Sequence, residues 1–317
     1  MIISKTPFRI SFIGGGTDRP EFYQNQQGAV ISTAIDKYVY ITANTRFDET
    51  IRVSYSKTET VAKLDELQHT RFREAMRLVG VTQGVELTSI ADVPAGTGLG
   101  SSSSFTVGAL NALAAYEGMS APAKMLAEHA CKLEMNTLKE PIGKQDQYAA
   151  AYGGLRRYLF NSDGSVFIDP VILPEQRMRD FYESIMLFYV GGERKASDVL
   201  SGARTPSTVM RGLVDDFWKI LTTGDIRGLG EILNYGWEIK KKTGDVTNSK
   251  VDELYAAARK AGAGGGKLLG AGGAGFLMLF CTPSYQREVR KAFWQMGNPR
   301  WIPFKFEPEG SKIVHVD

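Results

Sequence analysis

Glycine placement constrains this chain more than any other feature. The sequence holds 34 glycines in 317 residues, about 11% against a usual value of about 7%. They are gathered rather than spread. Gly14, Gly15 and Gly16 form one group, Gly96, Gly98 and Gly100 a second, and residues 262–275 hold eight glycines in fourteen positions. Glycine at this density marks either flexible linker or a backbone that approaches something closely. Each group abuts a strand-like or helix-like apolar run, which favours close approach.

Around these groups the hydrophobic pattern sorts into elements. Residues 2–13, 29–45, 51–55, 84–93, 155–160, 165–168, 185–190 and 275–281 read as strands. Residues 64–79, 102–117, 122–138, 209–222, 226–241 and 250–261 carry helical spacing, with Gly118 placed to end one helix and Pro122 to start the next. At roughly 150 residues per domain the length suggests about two domains. Pro170 and Pro174 bracket a polar stretch where a boundary fits. Helices and strands mix without strict alternation, so the expected class is α+β, with domains at 1–172 and 173–317.

Several function classes fall away. No apolar run approaches the roughly 18–20 residues that span a bilayer, and MIISKTPFRI lacks the layout of a secretory leader. A cytoplasmic protein with no membrane partner is expected. A net charge of +3 without a clustered basic patch argues against nucleic acid. Cys131 and Cys281 support neither a disulfide framework nor a thiolate metal site. His69, His129 and His315 have no metal-ligand spacing.

Chemistry concentrates in three segments. In VPAGTGLGSSSSF, residues 93–105, a strand ends, glycines turn the chain, and four serines open an apolar helix. The first turn of a helix has unpaired N–H groups and the positive end of the macrodipole, so it attracts anions. Glycines let the backbone approach phosphate oxygens, and serine hydroxyls add donors or a magnesium ligand. A plain helix cap would need only one of the serines. No Gly-Lys-Ser/Thr follows, so this is not a Walker A loop. In KLLGAGGAGFLMLF, residues 267–280, the glycines nominally fit G-x-G-x-x-G, but a strand follows and no acidic residue stands between 290 and 300. The dinucleotide reading fails on both counts. What survives is a glycine turn packed against another loop or a phosphate, or a tight helix-to-strand connection. In PFRISFIGGGTD, residues 7–18, a strand delivers Arg9 and three glycines let Thr17 and Asp18 approach something closely; a plain hairpin turn is the simpler alternative.

Taken in order, the three segments resemble the three signatures of the GHMP small-molecule kinases. That resemblance spans nearly the whole chain. It implies an N-terminal domain like the second domain of ribosomal protein S5, a ferredoxin-like C-terminal domain, and phosphorylation of a small metabolite with ATP and Mg2+. The nucleotide contacts it implies are Pro94, Gly96, Gly98, Leu99, Gly100, Ser101, Ser102 and Ser103.

Phosphoryl transfer needs charge neutralisation and a group that positions or deprotonates the acceptor hydroxyl. Glu134 lies near Ala127, Ala130 and Leu138 on the less polar side of its helix, where a buried acid wants a metal or cation; pairing with a nearby lysine is the alternative. The resemblance makes Glu134 and Ser102 magnesium ligands. Asp146, in PIGKQDQYAAAYGG, is an exposed loop acid on its residues alone; the family's Gly-x-x-Asp-Gln segment makes it the catalytic base, with Arg9 beside it. Within the family, Gly-Gly-Gly-Thr-Asp and residues 191–197 most resemble bacterial kinases acting at the anomeric hydroxyl of D-glycero-D-manno-heptose 7-phosphate, with fucokinases as near neighbours. Thr17, Asp18, Gly272 and Gly273 are then the expected substrate contacts. A phosphorylated sugar needs a second anion site, for which Arg194, Lys195 and the run 240–242 are candidates, a solvated basic face being the alternative. A homodimer is left open. A kinase of a free sugar and a non-catalytic sugar or nucleotide sensor are the competing readings.

Overall fold

The computed structural model describes residues 1–192, 208–242, 244 and 246–317. Among these residues the strands form two sheets. The first has eight strands in the path β12-β1-β2-β5-β3-β4, with β6 added to β2 and β7 to β6. Its members are β1 (Ile2–Ile13), β2 (Gly28–Thr45), β3 (Ile51–Ser54), β4 (Thr58–Val61), β5 (Val85–Ala91), β6 (Leu155–Phe160), β7 (Val166–Pro170) and β12 (Lys312–Val316). The second sheet runs β11-β8-β10-β9, with β8 (Ile185–Gly191), β9 (Gly265–Leu268), β10 (Gly275–Phe280) and β11 (Arg300–Trp301).

Strand alternation explains how the second sheet is covered on both faces. Side chains two apart share a face. Ile185 and Leu187 of β8, with Phe276, Met278 and Phe280 of β10, enter the core that continues from the first sheet. Met186 and Phe188, with Leu277 and Leu279, enter a second core built against Val251, Leu254, Val289 and Phe293. Full burial of each such side chain is worth roughly 1.5–3 kcal/mol. Phe12 ties the halves together. Its ring lies 5.1 Å from Phe181 and 6.0 Å from Phe217, so one aromatic cluster joins β1 to helices Glu175–Glu183 and Thr208–Thr222.

The two-domain α+β expectation agrees with these two sheets, but the expected second domain, 173–317, departs from them at its end. Strand β12 pairs antiparallel with β1, Ile2 opposite Val316, so the last strand belongs to the first sheet. The stretch bracketed by Pro170 and Pro174 leads into helix Glu175–Glu183. Other expectations need correction. The glycine-rich stretch contains strand β9, whose glycines lie against Met278 and Gly230 backbone where a side chain would not fit. Residues 122–138 are not one regular helix. Helix Ala123–Cys131 passes into a π-helical turn, Lys132–Thr137, a rare geometry found often at functional sites. Helix Pro283–Trp294 and strands β11 and β12 were not legible from the pattern.

Candidate active site

The second and third glycine groups meet at one place, and the first turn reaches the same region through Gly15, which lies against Gln145 beside Asp146. Gly98 has a φ of +91°, and a Cβ there would sit 2.5 Å from the Leu269 carbonyl oxygen; a Cβ on Gly270 would sit 2.5 Å from the Gly98 Cα. The second and third turns thus touch backbone to backbone. Gly98→Ala should therefore destabilise the protein by more than the roughly 1 kcal/mol of an ordinary turn glycine and sharply reduce nucleotide binding, measured by denaturant unfolding and by equilibrium binding of an ATP analogue.

Beside this junction lies a buried ion pair. Between its bulges, β1 alternates, so Arg9 and Ser11 point away from Phe8 and Ile10. Arg9 Nε donates to Asp146 Oδ1 at 2.7 Å and Nη2 to Oδ2 at 2.6 Å, while Nη1 donates to the Gly98 carbonyl at 2.6 Å. Bidentate, charge-assisted geometry of this kind fixes both groups in orientation. The Arg9 side chain is 4% exposed and Asp146 22%, so the carboxylate keeps one side open. Asp146 is not on a loop: it occupies the first turn of helix Gln145–Tyr152.

Thr17 and Asp18, the expected substrate contacts, are both buried in the structure. Thr17 is fully buried; its hydroxyl lies 2.8 Å from both the Gly14 and the Ala29 carbonyl oxygens, which share its one proton, and accepts from the Ala29 N–H. Asp18, 2% exposed, accepts from the Gly16 N–H with Oδ1 and from the Gln145 N–H with Oδ2. Burial pushes its carboxyl above the usual range, the backbone N–H of Gln145 opposes this, and the nearby Asp146 charge adds to it. Both side chains are engaged within the turn and with the Asp146 helix, which they help to organise. Asp18 caps the helix that carries Asp146. Gly272 and Gly273 likewise pack on the segment after the Lys240 helix: the Gly273 N–H donates to Val246 O, and its carbonyl accepts from Asn248 Nδ2.

The four serines divide by depth. Ser102 is exposed at the lip, while Ser103 and Ser104 are buried. Ser104 Oγ donates to Pro7 O at 2.8 Å. Ser103 Oγ donates to Glu134 Oε2 at 2.8 Å, and Thr106 Oγ1 to Glu134 Oε1 at 2.6 Å. Gln147 Nε2 donates there too. The expected Ser102–Glu134 pair is thus not in direct contact; Ser103, one residue deeper, makes that bond because helix Ser101–Tyr116 turns it inward. Glu134 is 0% exposed. Among the described residues its one cation, Arg71, is 3.5 Å away and gives its close bonds, at 2.6 Å, to Glu140. Two carboxylates share one guanidinium, which leaves a net negative charge beneath the serine loop.

That surplus fits a hard divalent cation. Among the described residues no cluster of three or more His, Cys, Asp or Glu surrounds a metal position. Magnesium commonly takes one or two carboxylates and completes its shell with phosphates and water. Leu99 is buried and its carbonyl accepts the Arg9 N–H, and the Thr97 hydroxyl closes the loop onto Pro94 O. With Gly100 as N-cap, the N–H groups of Ser101, Ser102 and Ser103 are the ones that no helical carbonyl can reach. Arg194 and Lys195 lie outside the described residues. Within the run 240–242, Lys241 pairs with Glu238 on the surface, whereas Lys240 turns inward and donates to Gly270 O at 2.6 Å. Arg71, Glu140, Gln147 and Lys267 were missed by sequence reasoning. Gln147, beside Asp146, and Lys267, at the head of the third glycine segment, stood near recognisable signals.

Comparison with known proteins agrees with this geometry. The family profile described as GHMP kinases N terminal domain matches residues 64–154, and that described as GHMP kinases C terminal matches residues 217–297. The chain belongs to the GHMP kinase family, a class of phosphotransferases whose phosphate donor is ATP. It is similar, at 28% identity over 99% of both chains, to the D-glycero-alpha-D-manno-heptose 7-phosphate kinase of Campylobacter jejuni. It also matches the L-fucokinase/L-fucose-1-P guanylyltransferase of Bacteroides fragilis at 25% identity, over 95% of this chain but 37% of that protein. The crystal structure of a D-glycero-D-manno-heptose 1-phosphate kinase from Bacteroides thetaiotaomicron superposes with a TM-score of 0.82, at 25% identity and full coverage of both chains. Streptococcus pneumoniae phosphomevalonate kinase shares the fold at the same TM-score and 15% identity, covering 97% of this chain and 100% of its own. No helix of the described residues is long and apolar enough to cross a membrane.

Proposed function

We propose that this protein transfers the terminal phosphoryl group of ATP to the anomeric hydroxyl of D-glycero-D-manno-heptose 7-phosphate, giving the 1,7-bisphosphate. The observation that carries the reading is the Arg9–Asp146 pair, with its half-open carboxylate, set against the Gly98 turn and the first turn of the serine helix. A full-length relative of that substrate class supports the choice of sugar.

In this reading the N–H groups of Ser101, Ser102 and Ser103 receive phosphate oxygens, helped by the positive end of the helix dipole. Asp146 accepts the proton of the sugar hydroxyl as its oxygen attacks the terminal phosphorus and the bond to ADP breaks. Arg9 holds Asp146 in the attacking orientation and adds positive charge where negative charge develops. Magnesium would be held by Glu134 and the Ser102 hydroxyl, and would supply neutralisation of the phosphate charge. The chain divides functionally near residue 172, with β12 returned to the first sheet.

A coupled ADP-release assay across heptose 7-phosphate, free heptose, galactose and fucose tests the assignment. Heptose 7-phosphate should give kcat/KM at least about tenfold above the free sugars, since one charge-assisted contact to its phosphate is worth roughly 1.5–3 kcal/mol. The fucokinase relative makes fucose the second reading; turnover of fucose with none of heptose 7-phosphate would install it. Absence of ADP release with every sugar of the panel, while ATP and sugar still bind, would favour a non-catalytic sensor.

A further inference from the structure

Lys267 has no part in the reaction as described above, and it is placed at a cost. It lies on β9 and is 9% exposed. Its ammonium crosses from the second sheet to the first and donates to the carbonyl of Phe12, on β1 just before the first glycine turn, at 3.1 Å. An ammonium has three N–H donors. Among the described residues that carbonyl is its one acceptor, and no carboxylate lies within 4.0 Å of it.

Two other cations stand close enough to repel it. Lys240, from helix Gly228–Lys241, donates to Gly270 O at 2.6 Å and Leu268 O at 3.4 Å. Arg9 donates to Gly98 O. Each glycine turn therefore has one cation fixed to a backbone carbonyl at its base: Lys267 near the first, Arg9 at the second, Lys240 at the third. Burial, then Lys240, then Arg9 push the Lys267 ammonium well below the usual lysine range. Burial, then Arg9, push Lys240 down to about 8. Asp146 balances Arg9. Nothing in the described protein balances Lys267.

A buried charge without a partner is expensive, and proteins keep one where a ligand completes it. We propose that Lys267, with Lys240 beside it, is the cationic floor for a phosphate group bound between the three glycine turns, carried either by the terminal position of the nucleotide or by the sugar. This rests on the phosphotransferase reading of the cleft. Binding is therefore measured apart from turnover.

The variant is Lys267→Met, which keeps most of the length and loses the charge, with Lys267→Arg as the charge-retaining control. Equilibrium binding is read for a non-hydrolysable ATP analogue, ADP, heptose 7-phosphate and free heptose. A loss of tenfold or more for the analogue but under threefold for ADP places the nucleotide's terminal phosphate on Lys267. The same loss for heptose 7-phosphate but not for free heptose places the sugar's phosphate there. In either outcome Lys267→Arg should recover at least part of the affinity. Affinities within twofold of wild type in every arm overturn the proposal and leave Lys267 as a strut between sheets. If Lys267→Met does not fold, the wild-type protein labelled with 15N-lysine is titrated with the same ligands. A ligand-dependent shift of the side-chain resonance missing in Lys267→Arg supports the proposal, and an unmoved resonance overturns it. Should wild type bind none of the phosphate ligands, the kinase reading and this proposal fall together.

Discussion

Asp146→Asn should lower kcat for the sugar by at least about 100-fold, the contribution expected of a general base, while the affinity for an ATP analogue stays within about threefold. The asparagine keeps the size of the side chain and one acceptor oxygen, so the Arg9 fork loses one of its two bonds, at 2.7 and 2.6 Å, and all of its counter-charge. Arg9 is almost wholly buried and retains one bond to the amide oxygen and one to the Gly98 carbonyl. Some stability must go with it, about 2 kcal/mol by the cost of leaving a buried charge less well paired. Steady-state kinetics at a temperature where both proteins are folded separates the effects. A drop in kcat below about threefold would remove Asp146 from the chemistry and leave it as an anchor for Arg9.

Glu134→Gln should be the most damaging substitution beneath the nucleotide loop. Four donors converge on that carboxylate, from Ser103, Thr106, Gln147 and Arg71. A glutamine turns an N–H2 towards at least one of them, and reversing the Gln147 amide, whose carbonyl oxygen lacks a partner among the described residues, would only leave its own N–H2 unpaired instead. Disrupting a buried network of this kind costs about 3 kcal/mol, visible as a lower denaturation midpoint. In addition, the magnesium concentration for half-maximal activity at saturating ATP should rise, since one anionic oxygen is gone. Ser102→Ala should show the second effect without the first, because its hydroxyl lies at the exposed lip. Unchanged half-saturation in both variants would separate these residues from the metal.

Much of the site was legible before the fold. The glycine groups, Arg9, Asp146, Glu134 and the serine run are local patterns, and the structure sets Arg9 and Asp146 against the Gly98 turn and Glu134 beneath the serine run. What failed to carry over was which neighbour each side chain meets. Thr17 and Asp18 look like polar groups offered by a flexible turn, yet both are consumed by backbone N–H and carbonyl groups of the turn itself and of the Asp146 helix. Ser102 and Ser103 are adjacent in an unbroken serine run; only the inward twist of helix Ser101–Tyr116 against the π-helical turn gives Ser103 the carboxylate. Arg71, on helix Thr70–Val79, carries no signal in its own surroundings and matters only through contacts 63 and 69 positions away.

The sequence by itself determined that the backbone would come close to something at three places, that the elements around them would be strands and helices of an α+β protein, and which acids were available for chemistry. These follow from glycine's missing Cβ and from side-chain periodicity, properties of a residue and its immediate neighbours. Only the tertiary structure decided that the second and third turns close on one another, that Arg9 belongs to Asp146 across 137 positions, that β12 returns to the first sheet, and that Lys267 stands buried without a counter-charge among the described residues. Strand register and charge pairing depend on residues far apart in the chain, and a buried ion has its energy set by whichever groups folding brings within a few ångströms.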